Sequence, residues 1–463
     1  MEQSPRTNSS HPPMPDELAC RFLPYTALKL MYGATVEKCY CGREDLVAVW
    51  FNSQAEVLHV NDFEVAQRTA DVIWNRLVAV TIDYTRYNSM PMMMTLHRAA
   101  AEFIAASYGQ DKRKRALFLL SDQYGCGFWR MMLPATSVKS PDWMIDISPA
   151  EIVYDYLCSY NTVMLQRVCN WNSYYVVKRL QEARVRVVYD LDDNFWELPQ
   201  FHPAWKKFGP DEKEAAKAIV RQVDAVTVTT QGMAEAVCRH CGDVVRDKLT
   251  IIPNAIDSSM FVARPVYPLG STGPMPFRLL WAGSATHEQD FNVCLEALDK
   301  FMANHTDDED IRVMFMGFLP QCVARLVQQK HWFKKVEHME FVNIETYFSL
   351  LGRVKADLAI APLLACPFNA AKSNIKWVEY TMAGIPVLAS KFGPYAESII
   401  HGETGLLAST TDEWLAALED KYAHRISPRW QVMMKKARAA VEENYSIAEM
   451  GKKWTAVLEG SAP

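Results

Sequence analysis

The chain has 463 residues, 49% hydrophobic and 22% charged, a globular composition long enough for two or three domains that each bury a core. Its formal net charge of -5 supplies no general attraction to nucleic acid or to an anionic membrane. No apolar run approaches the roughly 18 residues of a spanning helix, and the polar, proline-rich opening at 1–15 lacks a signal-peptide core, so the expected location is the cytoplasm. Eleven scattered cysteines, an odd number, do not read as a disulfide framework. Cys39-x-Cys41 and Cys238-x-x-Cys241 also lack the second pair that a zinc site needs.

Residues 1–114 read as a small α/β or α+β unit, with strands expected at 46–51, 58–60 and 77–82 and helices at 63–75 and 96–106. Met90-Pro91-Met92-Met93-Met94 is either an adaptable apolar surface or a packed loop. The basic run Asp111-Lys112-Arg113-Lys114-Arg115 closes the unit, solvated or touching a polyanion. Two series of short apolar or β-branched runs then alternate with helical stretches. The first is 116–120, 162–165, 185–189, 225–228 and 249–252; the second is 278–282, 313–316, 339–342, 358–361 and 386–389. Such runs suit parallel strands covered on both faces. We therefore expect two doubly wound sheets in tandem, with ligands at the carboxyl ends of the strands in the cleft between them. Residues 427–458 read as helices.

Two clusters in the first series carry chemistry. Gly125-Cys126-Gly127-Phe128-Trp129-Arg130 follows the first strand, where a doubly wound domain puts a close-approach glycine turn, although the third glycine of a dinucleotide fingerprint is missing. Arg130 opens the next helix and either meets a phosphate or leaving group or is structural. The run Tyr189-Asp190-Leu191-Asp192-Asp193-Asn194-Phe195-Trp196 leaves a buried strand with three mutually repelling carboxylates. Burying them without partners is costly, so they face the cleft, a cation or water, unless Asp193 or Asn194 caps the next segment. Asp190-Leu191-Asp192 is also a DxD, whose hard oxygen ligands suit Mg or Mn.

The most informative stretch is 366–390, CPFNAAKSNIKWVEYTMAGIPVLAS. Pro367 and Asn369 mark a loop, Ser373 or Asn374 can cap a short helix, and Gly384 suits the left-handed position at its end, before a buried strand. The amino end of that helix, with Lys372 and Lys376, favours phosphate, and Glu379, about a turn and a half further on, can accept from a pair of hydroxyls. Phosphate plus vicinal diol describes a nucleotide sugar. A solvated Lys/Glu pair on an ordinary amphipathic helix is the plainer alternative.

Glu379, the Ala383-Gly384-Ile385-Pro386-Val387 turn and Gly402-Glu403-Thr404-Gly405-Leu406-Leu407 together resemble the donor half of GT-B glycosyltransferases, in the large retaining group known as glycosyl transferases group 1 or family 4. Ile252-Pro253-Asn254-Ala255-Ile256-Asp257 resembles the interdomain junction, and Trp281-Ala282-Gly283-Ser284 the glycine turn after the first donor-domain strand. The acidic turn with Gln166-Arg167 resembles a branch found in phage and surface-polysaccharide contexts. The resemblance covers about 115–458. It implies an accessory unit at 1–114, an acceptor-side Rossmann-like domain at 115–258 onto which helices at 427–463 cross back, and a donor domain at 259–426.

It further implies transfer of a sugar from a UDP- or GDP-linked donor to an acceptor hydroxyl, with retention and with neither metal nor cofactor beyond the donor. Gly283, Ser284, His287, Ser373, Asn374, Lys376 and Glu379 would bind the donor, Gly125, Gly127, Asp190 and Asp193 the acceptor, and Lys372, Asp192 and Arg130 would serve the transfer. Two departures stand out. The family pattern of Glu, seven residues and Glu begins here with Ala371, and Glu288, Gln289 and Asp290 follow Gly283-Ser284-Ala285-Thr286-His287 where an Arg and Lys pair is usual. Lys372 is expected to replace those cations. A lipid-linked glycan, a protein or a hydroxylated DNA base all fit as acceptor. Two rival readings are a metal-dependent GT-A-like transferase using the DxD, and a glycan- or nucleotide-binding protein without turnover.

Overall fold

The computed structural model describes residues 36–39, 48–51, 113–122, 125–149, 157–158, 160–261, 276–342 and 344–461. Strands β1 (Val36–Cys39) and β2 (Ala48–Phe51) form an antiparallel pair, the second inside the strand expected at 46–51. The elements expected at 58–60, 63–75, 77–82 and 96–106, and the methionine run, lie outside the described residues.

Two six-stranded parallel sheets organise the rest. The first has the order β4-β3-β5-β6-β7-β8, from β3 (Lys114–Leu120), β4 (Trp143–Pro149), β5 (Thr162–Gln166), β6 (Arg186–Leu191), β7 (Ala225–Val228) and β8 (Leu249–Ile251). The second has the order β11-β10-β9-β12-β13-β14, from β9 (Phe277–Gly283), β10 (Ile311–Gly317), β11 (Val336–Met339), β12 (Leu358–Ala361), β13 (Val387–Ser390) and β14 (Leu406–Ala408). Central strands β5, β7, β12 and β13 are buried along their whole length, as two-sided helix cover requires.

The edges are where sequence and structure part. Strand β4 has no counterpart among the expected runs, because Asp146 interrupts its apolar pattern; that carboxylate meets Arg115 at 3.4 Å and the Tyr160 hydroxyl at 2.7 Å. Strand β11 ends at Met339, so the run expected at 339–342 follows the strand, and Phe341 is exposed.

The chain crosses between sheets at 252–257 and returns at its end. Ile256 N donates to Tyr445 O at 2.7 Å and Ile447 N to Ile256 O at 3.1 Å, binding the crossing to the helices Pro428–Tyr445 and Ile447–Glu459. The last helix lies on the first sheet, with the Trp454 and Phe118 rings 6.2 Å apart and Gly451 where a Cβ would be 2.4 Å from Ser137 O. Among the described residues no helix is long and apolar enough to cross a membrane, and the eight cysteines from Cys126 to Cys366 are free.

Arg130 joins these parts. It sits in a π-helical turn, Phe128–Met132, and is fully buried. Its guanidinium meets Asp190 at 2.7 Å, donates to Ile252 O at 2.6 Å and to Asn254 Oδ1 at 3.2 Å, and lies 5.2 Å from the Trp454 ring centre. Asp190 is equally buried and also accepts from Thr227 Oγ1 at 2.6 Å. Neither side chain reaches the cleft, so the transfer role expected for Arg130 and the acceptor role expected for Asp190 give way to a buried ion pair. Arg130→Met strands that carboxylate in the interior and is expected to cost about 3–5 kcal/mol, read as a lower urea midpoint. Adding Asp190→Leu should restore part of the loss; an unchanged midpoint in Arg130→Met would contradict the strut.

Candidate functional site

Strand β9 ends at a glycine for a steric reason: a Cβ at Gly283 would lie 2.6 Å from the Trp281 ring. Ala282, just before it, is held at both polar atoms. Its N–H donates to the Tyr380 hydroxyl at 2.8 Å, and its carbonyl accepts from Lys376 Nζ at 2.6 Å. The helix Ile375–Met382 thus delivers an ammonium to the carboxyl end of β9, beneath the glycine turn. Burial lowers Lys376 to about 8, against the pull of Glu379.

Glu379 follows on the same helix, buried and accepting from the Tyr347 hydroxyl at 2.8 Å. Burial raises its carboxyl to about 7, with Lys376 and the Tyr347 bond opposing. Gly384 takes φ +75°, the left-handed conformation that ends this helix. Asn374 holds the cap position without capping: its Nδ2 donates to Ser398 Oγ and Tyr445 Oη, both at 2.7 Å, away from the turn. Ser373 Oγ accepts from Asn254 Nδ2 at 3.1 Å, tying the loop before this helix to the crossing.

On the facing loop Ser284 Oγ and Thr286 Oγ1 are 2.7 Å apart, and His287 Nδ1 lies 2.8 Å from Asp290 Oδ2. Burial, Lys372 and Lys376 push His287 down to about 3, so its imidazole is neutral. Asp290 also accepts from Leu364 N at 2.9 Å and Asn369 Nδ2 at 2.7 Å. It therefore braces the 364–369 loop where the family pattern has cations. Lys372 is half-buried, with Nζ 4.9 Å from the Phe368 ring centre. Lys376, at the end of β9, is the second cation available there.

Across the cleft the acidic turn is organised by Arg167, a residue the sequence pattern marked only in passing. Its φ is +51°, a strained value for a side chain other than glycine. Its guanidinium stands 3.2 Å from Asp192 Oδ1, 3.1 Å from Asp193 Oδ2 and 2.9 Å from Asp122 Oδ2. Cys126, Asp192 and Asp193 bring three possible metal ligands within 4.8 Å of one another, in the same space that this guanidinium neutralises. Burial and the surrounding carboxylates push the Cys126 thiol well up. Gly125 is exposed at φ +42°, and a Cβ on Gly127 would collide with Asp122 O. The glycine turn is thus closed on Asp122, whose Oδ1 accepts from Gly127 N at 3.1 Å.

Sequence reasoning missed His202, which has no spacing or neighbour to single it out. It lies on the loop after the acidic turn, with its ring centre 5.1 Å from that of Phe368 on the donor side. Ala204 N donates to His202 Nδ1 at 3.1 Å, which leaves the proton of the neutral ring on Nε2. Burial and Lys372 lower its pKa, with Asp193 and Asp290 opposing, so the imidazole is flanked by charges from both halves. Thr230 Oγ1 donates to Ala371 O at 2.9 Å, a second contact between them.

This geometry can be set beside known proteins. Residues 276–424 match the glycosyl transferases group 1 family. The fold is that of GT-B glycosyltransferases. The Anabaena protein HepE, solved in complex with UDP-glucose, superposes with a TM-score of 0.57 at 14% identity, over 74% of this chain and 99% of that one. Sucrose-phosphate synthase from Thermosynechococcus elongatus gives 0.53 at 16% identity, over 75% and 98%. In sequence the chain is similar to human chitobiosyldiphosphodolichol beta-mannosyltransferase, 27% identical over 162 residues, and to the mouse protein, 28% identical over 153. The match to the human protein spans 33% of either chain, about a third of that relative. Together these comparisons show the GT-B fold and a match to the glycosyl transferases group 1 family over residues 276–424.

Within the GT-B frame the acidic turn has a direct test. Removing the guanidinium in Arg167→Ala leaves Asp122, Asp192 and Asp193 to repel one another, and a divalent cation can relieve them. Arg167→Ala is expected to gain Mn2+ binding in titration calorimetry that the unaltered protein lacks. Strong Mn2+ binding by the unaltered protein would show that the turn is a metal site as it stands.

Proposed function

We propose that this protein is a metal-independent, retaining glycosyltransferase that moves a sugar from a nucleoside-diphosphate donor to an acceptor hydroxyl. The observation that carries the reading is the clamp at the end of β9, where Lys376 Nζ meets Ala282 O at 2.6 Å and Glu379 follows on the same helix. The diphosphate lies against the Gly283-Ser284 turn and Lys376, and the ribose hydroxyls donate to Glu379. Lys372, at the mouth of the same loop, neutralises charge on the leaving diphosphate as the bond to the anomeric carbon breaks. Neutral His287, with Nδ1 on Asp290, presents an accepting Nε2 to the pocket. Retention rests on the resemblance, and no residue here is assigned as a general base.

The acceptor enters from the first sheet, where Asp192 and Asp193 orient its hydroxyl with Arg167 holding both. Two observations support the absence of metal chemistry. Asp190, the first residue of the DxD, is sealed in the pair with Arg130, and Asp192 stands against Arg167. Titrating UDP- and GDP-sugars with and without EDTA, while assaying released nucleoside diphosphate, tests the whole reading. Turnover unaffected by EDTA is expected; EDTA-sensitive turnover favours the DxD, and binding without release of diphosphate favours a non-catalytic protein.

Glu379→Ala removes a charge-assisted acceptor and is expected to weaken the donor by about 1.5–3 kcal/mol, measured on protein whose urea midpoint shows that it is folded. Unchanged donor affinity by calorimetry would remove Glu379 from the site.

The two shifted groups set a pH dependence. Below about 7 Glu379 gains a proton and accepts less strongly, and above about 8 Lys376 loses the charge that holds the diphosphate. Tyr347, Lys372 and Asp290 face the same pair. The donor kcat/KM is therefore expected to be bell-shaped with limbs near 7 and 8. Glu379→Gln should flatten the acid limb and Lys376→Met the alkaline one; a level profile across the unaltered protein's range would contradict both roles.

A further inference from the structure

The exposed aromatic side chains of the acceptor half are not scattered. Among the described residues, Trp171, Tyr175, Phe201 and Trp205 are exposed, and all four lie on two segments that leave the carboxyl ends of adjacent strands. The helix Trp171–Glu182 follows β5 and the 198–209 loop follows β6 and its acidic turn. Trp171 Nε1 donates to Asp211 Oδ1 at 2.9 Å, which joins the start of that helix to the first turn of the helix Pro210–Gln222 that follows the loop. Trp171 and Tyr175, four apart on the helix, both pack edge-on against Tyr174, with ring centres 5.6 and 5.5 Å from it. Tyr175 is 59% and Phe201 50% exposed, more than packing alone asks of such rings.

The surface has an inner end. His202, next to Phe201, touches Phe368 of the donor half and lies in the field of Asp193 and Lys372. Phe201 and Trp205 therefore stand on the loop that meets the second half of the chain at His202. The charge of this surface narrows what it can hold. Lys178, Arg179, Lys206 and Lys207 on these segments are countered by Glu182 and, in the first turn of the next helix, by Asp211 and Glu212, and the inner end is bordered by Asp122, Asp192 and Asp193 around one arginine. A polyphosphate or an anionic lipid surface would meet those carboxylates and gain little from the cations. A chain of uncharged sugars fits both features: pyranose rings present flat C–H faces to aromatic rings, and their hydroxyls donate to carboxylates.

We propose that Tyr175, Phe201 and Trp205 form a track for a neutral oligosaccharide acceptor, with His202 Nε2–H as the hydrogen-bond donor at its inner end. This rests on the transferase reading and narrows the acceptor class of the same cleft. Several sugar units are engaged at once, so affinity grows with chain length.

The test uses the full chain and a panel of neutral manno-, gluco- and chito-oligosaccharides of two to six units, followed by tryptophan fluorescence and calorimetry. At least one series is expected to bind more tightly with length, and Trp205→Ala and Tyr175→Ala each to weaken the longest member about tenfold while sparing the disaccharide. Nucleotide-sugar affinity should stay unchanged in both variants. His202→Gln, which keeps an N–H donor, should retain more transfer than His202→Ala at equal donor affinity. Absence of binding to every member overturns the proposal, as does length-independent binding or binding indifferent to both substitutions. Tight binding to anionic vesicles or oligo-dT lost in the same variants overturns it in favour of those partners. Oligosaccharide binding that follows the expected pattern in a protein that neither binds nor turns over nucleotide sugars keeps the track and removes the transferase reading.

Discussion

The buried pair of Arg130 and Asp190 is the constraint on which the arrangement of the two halves depends. A guanidinium taken fully out of water needs its donors satisfied, and here they are distributed among the end of β6, the crossing at Ile252 and Asn254, and the C-terminal helix through Trp454. Asn254 passes the connection on to Ser373 in the donor loop. A charge that cannot be left unpaired thereby fixes where the first sheet ends, where the chain crosses, and where the helix Ile375–Met382 begins. The same pairing takes one carboxylate of the acidic turn out of the cleft and leaves two for Arg167.

The donor side is governed by a milder version of the same tension. Lys376 and Glu379 are both drawn out of water, and burial moves their pKa values toward each other, to about 8 and about 7. Each is held short of neutralisation by the other, by a carbonyl or by a hydroxyl. Under the proposed function, a diphosphate and a ribose diol would supply what those groups lack. Ala371 completes the picture. It is buried among the apolar residues of the first half and its carbonyl accepts from Thr230, so a glutamate side chain there would enter an apolar cluster.

Much of this was legible in the sequence, and the reasons are physical. Central strands announce themselves as unbroken apolar runs because both faces are covered, and Gly283 and Gly384 are marked by steric demands no other residue meets. The edge strands β4 and β11 were not legible, since an edge tolerates Asp146 and half-exposed residues that blur the pattern. At the site, helix spacing puts Lys376 and Glu379 on one helix but does not by itself distinguish a ligand site from a solvated pair; the structure draws both out of water. The role of Asp190 could not be read from spacing, because its partner Arg130 lies 60 residues away and no local pattern records a buried pair. The pairing of Arg167, named only beside the acidic turn, and the whole of His202 escaped for the same reason: each is defined by what folding brings around it, carboxylates in one case and the opposite half in the other.

The central claim is that the nucleotide binds at the end of β9. A crystal structure of the protein with an unhydrolysed nucleotide sugar tests it most directly. The account requires the diphosphate within hydrogen-bond distance of the Gly283-Ser284 turn and Lys376 Nζ, and the ribose hydroxyls on Glu379. A diphosphate found instead against Asp192 and Asp193 through a metal ion, with Arg167 displaced, would contradict it.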